Sequence, residues 1–409
     1  MQGRLPTLAP RDDRERRVIS VWRQSGLTDG TIAVYIGSVR LFRRYCRKAG
    51  VDEIERLTYA DVVAYARAYI GPRRGRRVKR WSRHAARNGI HAWSCALQIL
   101  GVPVPSWRPP PAPRRWPMLV DAYGEYRRSH RGIAIRTLSR DMEIASDFLK
   151  SLRSRSRSVA AISVKDIDEF VGELSVRLGR RTVAGLCSSL RCFLRFLRAT
   201  GRIRRDLASC VVAPRFRVDE RPPRALPWDS IRRILRAIPR DRRIGRRDHA
   251  MFLLMAAYGL GAGEVVGLRL DDVDWRAGIL RARRPKTTVS IELPLLPAVA
   301  RALASYLRRG RPRTTSTRAF FVTVALPHRA LSTGALSNRA RAYAIRAGVA
   351  VARLGSHVFR HSHATRQIDA GAPAKVVGDI LGHRRSSSTS VYVRMALRRL
   401  RSIGLPVPR

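Results

Sequence analysis

The chain has few acidic residues and almost no lysine for its size. Its 409 residues include 82 lysines and arginines against 30 aspartates and glutamates, and only six of the cations are lysine. The resulting net charge of +52 at pH 7 implies a polyanionic partner, most simply nucleic acid, held through phosphate contacts. Codon usage in a GC-rich genome explains part of the preference for arginine over lysine, but not the scarcity of acids.

Paired cysteines and long apolar runs are also missing. The five cysteines form no CxxC pair, which favours free thiols in a reducing compartment over a metal site or redox motif. The longest apolar stretch, Ala250 to Leu260, is too short to span a bilayer. The first residues carry charge from Arg4 onward and lack the apolar core of a signal peptide. We therefore expect a soluble, cytoplasmic protein without a membrane partner.

Proline-rich stretches divide the chain. Pro103 to Pro113 and Pro222-Pro223 indicate boundaries, because proline stops helices and stiffens connectors. The predicted divisions are a basic tail at 1–14, a helical segment at 15–106, a second helical segment at 117–215 and a third segment at 222–409.

The first two helical segments share a pattern. Thr31 to Phe42 parallels Thr137 to Phe148 at the same spacing, and Leu57-Thr58-x-x-Asp61 parallels Ile162-Ser163-x-x-Asp166. Thr58 and Ser163 each stand where an N-cap would begin the next helix. The pattern predicts that the first segment repeats the second.

The third segment combines two periodicities. Apolar residues recur at helical spacing from Asp248 to Tyr258 and again after Pro297 and His357, whereas Asp274 to Pro294 alternates apolar and polar residues around a turn at 285–287. We expect a mainly α protein, with two helical segments followed by a mixed α+β domain that contains a small antiparallel sheet.

The most specific motif lies near the C-terminus. His357-x-x-Arg360-His361 is followed by Leu381-Gly382-His383 and, nine residues later, by Tyr392. A phenol, imidazoles and a guanidinium without a carboxylate cluster suit chemistry on a phosphodiester, in which the phenol attacks phosphorus and the cation holds phosphate oxygens. This order and spacing resemble the tyrosine recombinase (phage integrase) family.

The resemblance implies a catalytic role for each of these residues. Tyr392 would be the nucleophile that forms a 3′-phosphotyrosyl intermediate, and Arg360 would bind the phosphate. His357 would be the base or hydrogen-bonding partner of the phenol, and His383 a donor to a non-bridging oxygen. Lys286, in the predicted hairpin turn, would protonate the leaving 5′ oxygen.

The resemblance also implies the organisation of the protein and its partners. The segment at 117–215 would be a helical core-binding (SAM-like) DNA-binding domain, and 222–409 the catalytic domain. Double-stranded DNA would be the partner, bound by a homo-oligomer, a tetramer on two duplexes. No metal or other cofactor is implied, because the protein–DNA bond conserves the energy of the phosphodiester. His361 would support the site from behind.

One position departs from the family pattern of Tyr-Gly-Leu-Arg-x-x-Glu. The chain reads Tyr258-Gly259-Leu260-Gly261-Ala262-Gly263-Glu264, so Gly261 replaces the first arginine while Glu264 is retained as a supporting residue. Loss of one preorganised donor to a developing oxyanion costs roughly 3–4 kcal/mol, or about 10²–10³ in rate.

The sequence thus leaves several functions open. The first is a site-specific DNA recombinase or integrase whose efficiency Gly261 puts in question. The second is a catalytically degenerate homologue that binds DNA as an accessory or regulatory protein. A metal-dependent nuclease that uses His357 and His361, one helical turn apart, and a basic architectural protein are the remaining alternatives.

Overall fold

The computed structural model describes residues 8–51, 56–70, 80–105, 107, 116–131, 133–215, 225–285, 290–349 and 354–382. The chain forms two compact units, one of Met1–Pro110 with Pro222–Arg409 and one of Pro111–Arg221. The first unit therefore contains the first and third segments of the sequence, and the second unit contains the middle segment.

The first segment folds into four helices: α1 (Asp13–Ser25), α2 (Asp29–Lys48), α3 (Tyr59–Ile70) and α4 (Arg80–Ile99). Helix α2 shows why these residues are helical. Its buried Ile32, Ile36, Val39, Phe42 and Cys46 recur every three or four positions and form one apolar face. That face packs mainly against α4.

Contacts between residues that are far apart in sequence join the first segment to the third. Leu326 is buried in the core formed by α1–α4. Arg243 donates to the carbonyl of Gln24 at 2.6 Å, and the hydroxyls of Ser25 and Thr314 lie 3.3 Å apart. The two segments therefore share one compact unit.

The middle segment forms the second unit through α5 (Met118–Arg131), α6 (Ile135–Ser154), α7 (Val164–Arg177) and α8 (Arg180–Ala199). Helix α8 buries Phe193, Leu194 and Leu197 in the core, while Arg195 and Arg198 are exposed. Helix α8 is therefore amphipathic, with arginines on the face opposite the core.

The two sets of four helices match in order and in length. They have 13, 20, 12 and 20 residues in the first segment and 14, 20, 14 and 20 in the second. Ser163 begins α7 with a capping box, in which its hydroxyl accepts from the backbone N–H of Asp166 and the Asp166 carboxylate accepts from that of Ser163. Thr58 donates through its backbone to Asp61 at the equivalent place before α3. The repeat of one segment in the other stays a prediction, and the two sets of helices agree with it in order and length.

The third segment contains seven α-helices and three strands in its described part. They are α9 (Trp228–Arg236), α10 (Arg243–Tyr258), α11 (Ala262–Val266), β1 (Val273–Asp274), β2 (Ile279–Arg283), β3 (Ser290–Pro294), α12 (Pro297–Arg309), α13 (Thr333–Arg346), α14 (His357–Asp369) and α15 (Ala374–Leu381).

Helix α10 is the central element of this segment. It packs against α12 and α14, and the rings of Phe252 and Phe359 stack with centroids 4.9 Å apart. Asp248 is fully buried and accepts from Arg247 at 2.8 Å, from Arg339 at 2.6 Å and from the hydroxyl of Tyr343 at 2.8 Å. Since Arg339 and Tyr343 belong to α13, this network joins α13 to α10.

The three strands form one antiparallel sheet in the order β1-β2-β3, with Leu280 opposite Leu293 and Ala282 opposite Ile291. The Tyr258 hydroxyl donates to the carbonyl of Pro294 at 2.7 Å and thereby connects the end of α10 to the end of β3. The predicted fold class, mainly helical with a small antiparallel sheet, is confirmed. In the described part of the chain, no helix is both long enough and apolar enough to cross a membrane.

Candidate active site

Helix α14 carries the predicted His-x-x-Arg-His motif at its N-terminal end. Val358 and Phe359 are buried in the core, so the motif residues lie on the opposite side of the helix. His357 is exposed, Arg360 is mostly buried, and the rings of His357 and His361 have centroids 6.3 Å apart. The helix therefore fixes the spacing of two imidazoles and one guanidinium.

The guanidinium of Arg360 is held by groups from three other places in the fold. It donates to the carbonyl of Gly259 at 3.1 Å, to the Glu264 carboxylate at 3.2 Å and to the carbonyl of Leu381. Its side chain is only 14% exposed. These contacts fix the group in one orientation and neutralise part of its charge.

The Gly259 carbonyl is placed by the turn that ends α10. Gly259 has a φ of +66°, which favours glycine because a side chain is strained there. A Cβ at this position would also come within 2.7 Å of the His363 ring. The absence of a side chain thus lets the turn approach α14 closely enough to accept from Arg360.

A side chain at position 261 would require only a small shift of its neighbours at the Cβ atom. The backbone of Gly261 is extended, with a φ of −76°, and its N–H donates to the carboxylate of Glu264. A Cβ there would lie 3.3 Å from Glu264 Oε2 and 3.6 Å from Arg360 Nη1. Position 261 therefore lacks a side chain directly beside Glu264 and Arg360.

A second arginine that the sequence did not single out also contacts Glu264. Arg284 follows β2, and its Nε lies 3.8 Å from Glu264 Oε1. Among so many arginines its type carries no information. The signal that could have found it is its place just beyond the alternation of β2 and immediately before the predicted turn.

His363, two residues beyond the motif, is a further residue that the spacing alone did not assign. Its Nδ1 lies 2.9 Å from the carbonyl of Ala256, so this nitrogen must donate. Burial lowers the pKa of His363, which favours the neutral form of the ring. It ties α14 to the last turn of α10 and helps to position the turn at Gly259.

Three of the predicted catalytic residues, Lys286, His383 and Tyr392, lie outside the described residues. The structure does bring Arg360, Glu264 and position 261 together. A metal site at His357 and His361 would need at least a third ligand. In the part of the chain that the structure describes, no group of three His, Cys, Asp or Glu side chains could hold an ion.

Comparison with known proteins gives the class of the molecule. A model of the phage integrase family matches residues 224–399. The chain is 35% identical over 290 residues to the "Putative integrase/recombinase y4rA" of Sinorhizobium fredii, a match that covers 71% of this chain and 70% of that protein. The chain belongs to the phage integrase family of tyrosine recombinases.

Two further proteins are similar to this chain over most of their own length. Tyrosine recombinase XerD of Proteus mirabilis is 29% identical over 66% of this chain and 86% of its own length. The crystal structure of the XerH site-specific recombinase, bound to palindromic difH substrate in a post-cleavage complex, has a TM-score of 0.54. It covers 92% of this chain and 96% of XerH at 13% identity, which shows a shared fold.

Proposed function

We propose that this protein is a site-specific DNA recombinase that breaks and rejoins double-stranded DNA through a 3′-phosphotyrosyl intermediate at Tyr392. The observation that supports this most strongly is the fixed guanidinium of Arg360. Contacts from α10, α11 and α15 hold it, and its backbone partner Leu381 directly precedes Gly382-His383. Preorganised donors of this kind stabilise charge that develops on a phosphate.

The chemical roles follow from the residue types. The phenolic oxygen of Tyr392 attacks phosphorus, the bond from phosphorus to the 5′ oxygen breaks, and Lys286 supplies the proton that the 5′ oxygen needs. A free phenol has a pKa near 10, so the positive charge around the phosphate and the imidazole of His357 favour its deprotonation. Arg360 and His383 hold the non-bridging oxygens throughout.

Charge supports duplex DNA as the substrate. The net charge of +52 provides many phosphate contacts, and α8 exposes Arg195 and Arg198 on the face opposite its core. The structurally similar XerH site-specific recombinase was crystallised bound to palindromic difH substrate. We further propose that the protein acts on DNA as a homo-oligomer, a tetramer that joins two duplexes, because strand exchange needs four coordinated cleavages.

The missing side chain at Gly261 supports a second candidate. A homologue that binds DNA as an accessory or regulatory protein would not need the first arginine, and the loss of one donor would reduce cleavage by about 10²–10³. The two functions differ in whether a covalent adduct forms.

Adduct formation on nicked DNA tests both candidates. A random-sequence pool of nicked duplexes, labelled at the 5′ end of the nicked strand, is incubated with the protein and resolved under denaturing conditions. A recombinase should retain label on the protein, and Tyr392→Phe should abolish it while Tyr126→Phe, in the second unit, should not. DNA binding without any adduct above the Tyr392→Phe background would refute cleavage and favour the accessory role. Sequencing the trapped DNA would identify the site.

A further inference from the structure

Arg284 differs from the two arginines of the preceding strand, β2. Arg281 and Arg283 lie on the outer face of β2, with side chains that are 42% and 62% exposed, and each pairs with an acid of the sheet region. The Arg284 side chain is only 15% exposed and turns inward towards α15. A guanidinium is rarely buried without a structural or functional partner.

The guanidinium of Arg284 lies at the C-terminal end of α15. Its Nη2 donates to the carbonyls of Asp379 at 3.1 Å and Ile380 at 2.7 Å, and its Nη1 lies against Gly382. Arg360 donates to the next carbonyl along, that of Leu381. The two guanidiniums thus bind consecutive carbonyls directly before Gly382-His383.

The same two guanidiniums share one carboxylate. Glu264 Oε2 accepts from Arg360 at 3.2 Å, while Oε1 lies 3.8 Å from Nε of Arg284. That Nε is buried and has no hydrogen-bond partner among the described residues. Two full positive charges face one carboxylate and the partial negative charge of a helix end, roughly half an elementary charge. The cluster therefore keeps net positive charge, which favours an anion beside it.

We propose that Arg284 is the second guanidinium of the phosphate site and replaces the arginine that is missing from position 261. The inference rests on the proposed recombinase function and names a residue that acts in it. Gly261 and Arg284 contact different oxygens of Glu264, so an arginine at either position can be oriented by the same carboxylate. Arg284 remains protonated during the reaction and donates to non-bridging oxygens as charge develops on them.

The competing explanation is that Arg284 only caps α15. Capping and phosphate binding can be separated, because only phosphate binding depends on the charge of the substrate. A methylphosphonate at the scissile position removes one negative charge from the DNA. An arginine that neutralises that charge becomes less important on this substrate, whereas a capping arginine is equally important on both.

The test measures the rate of adduct formation on the trapped DNA site, with phosphate or methylphosphonate at the scissile position. Arg284→Ala should lower the rate on phosphate by about 100-fold or more, and Arg283→Ala, its exposed neighbour, should stay within about threefold. The Arg284→Ala deficit should shrink at least tenfold on methylphosphonate. Gly261→Arg added to Arg284→Ala should restore most of the rate.

The other outcomes overturn the inference in distinguishable ways. Equal rates for Arg284→Ala and Arg283→Ala would refute the proposed role of Arg284 but not the recombinase function. An Arg284→Ala deficit that is the same on both substrates and is not rescued by Gly261→Arg would assign Arg284 to capping. Failure of the unaltered chain to form any adduct would refute both proposals, because a completed phosphate site is predicted to cleave.

Discussion

Replacing Glu264 by glutamine would remove the one carboxylate that Arg284 and Arg360 share, with almost no change in shape. The glutamine can still accept from the N–H of Gly261, so the local backbone should persist. What changes is the charge, because two mostly buried guanidiniums lose their common counter-ion. We expect the free energy of unfolding of this unit to fall and the affinity of the site for anions to rise.

The magnitude follows from the two distances. At an effective dielectric constant of about 20, a charge pair at 3.2 Å and one at 3.8 Å each contribute on the order of 5 kcal/mol of gross attraction. Desolvation of the three groups offsets much of this, and the carbonyls of α15 still hold both guanidiniums. A net loss of about 2–4 kcal/mol remains, or roughly 3–6 °C in melting temperature for a unit of this size.

Thermal melts with and without DNA would measure both effects. The matched control is Glu292→Gln, which breaks the exposed pair of Arg281 and Glu292 and should cost no more than about 0.5 kcal/mol. DNA or added sulfate should restore more stability to Glu264→Gln than to the control, because an anion can take the place of the lost carboxylate. Equal melting temperatures for the two variants would show that Glu264 does not hold the arginines, and the charge argument for the site would fail.

Three further predictions concern the fold around the site. Asp248→Asn removes the buried charge that binds two arginines and a tyrosine, and it should lower the free energy of unfolding by about 3 kcal/mol in urea titrations. Burial lowers the pKa of His249 to about 4. Since the unfolded histidine takes up a proton below about pH 6.5 and the folded one does not, stability should fall from pH 7 to pH 5 by about 1 kcal/mol after allowance for partial exposure, and His249→Gln should remove this dependence. Gly245→Ala should destabilise by about 2 kcal/mol or more, because its Cβ would overlap the carbonyl oxygen of Pro239, whereas Gly185→Ala, with open space around it, should stabilise slightly.

Local signals in the sequence predicted the elements that carry the motif. Pro373 and Gly382 are local signals for the start and end of a helix, and they flank α15 in the structure. The alternation of apolar and polar residues from Asp274 to Pro294 predicted the antiparallel sheet, because successive side chains of a strand point to opposite faces. Helix α13, which starts at Thr333, was not predicted, since its apolar residues give a weaker periodicity.

Contacts between distant parts of the chain could not be predicted in this way. No local pattern shows that Leu326 enters the core of the first segment, because that contact depends on packing across more than 200 residues. Nor does any pattern separate Arg284 from its exposed neighbours, since the burial of its side chain is set by α15 and α11. The motif gave the chemistry of the site, while the identity of the second cation depended on the tertiary structure.

The single variant Gly261→Arg tests whether Arg284 replaces the missing arginine. Gly261→Arg should fit, because the backbone there has an ordinary negative φ and the nearest atoms belong to the flexible ends of Glu264 and Arg360. If Arg284 already supplies the second guanidinium, the added arginine duplicates a filled role, and the rate of adduct formation should change by less than about tenfold. The effects of the two positions are then strongly non-additive, as expected for groups that share one partner. A 100-fold acceleration by Gly261→Arg alone would mean that the site lacks a cation, and the accessory role would then describe the unaltered protein better.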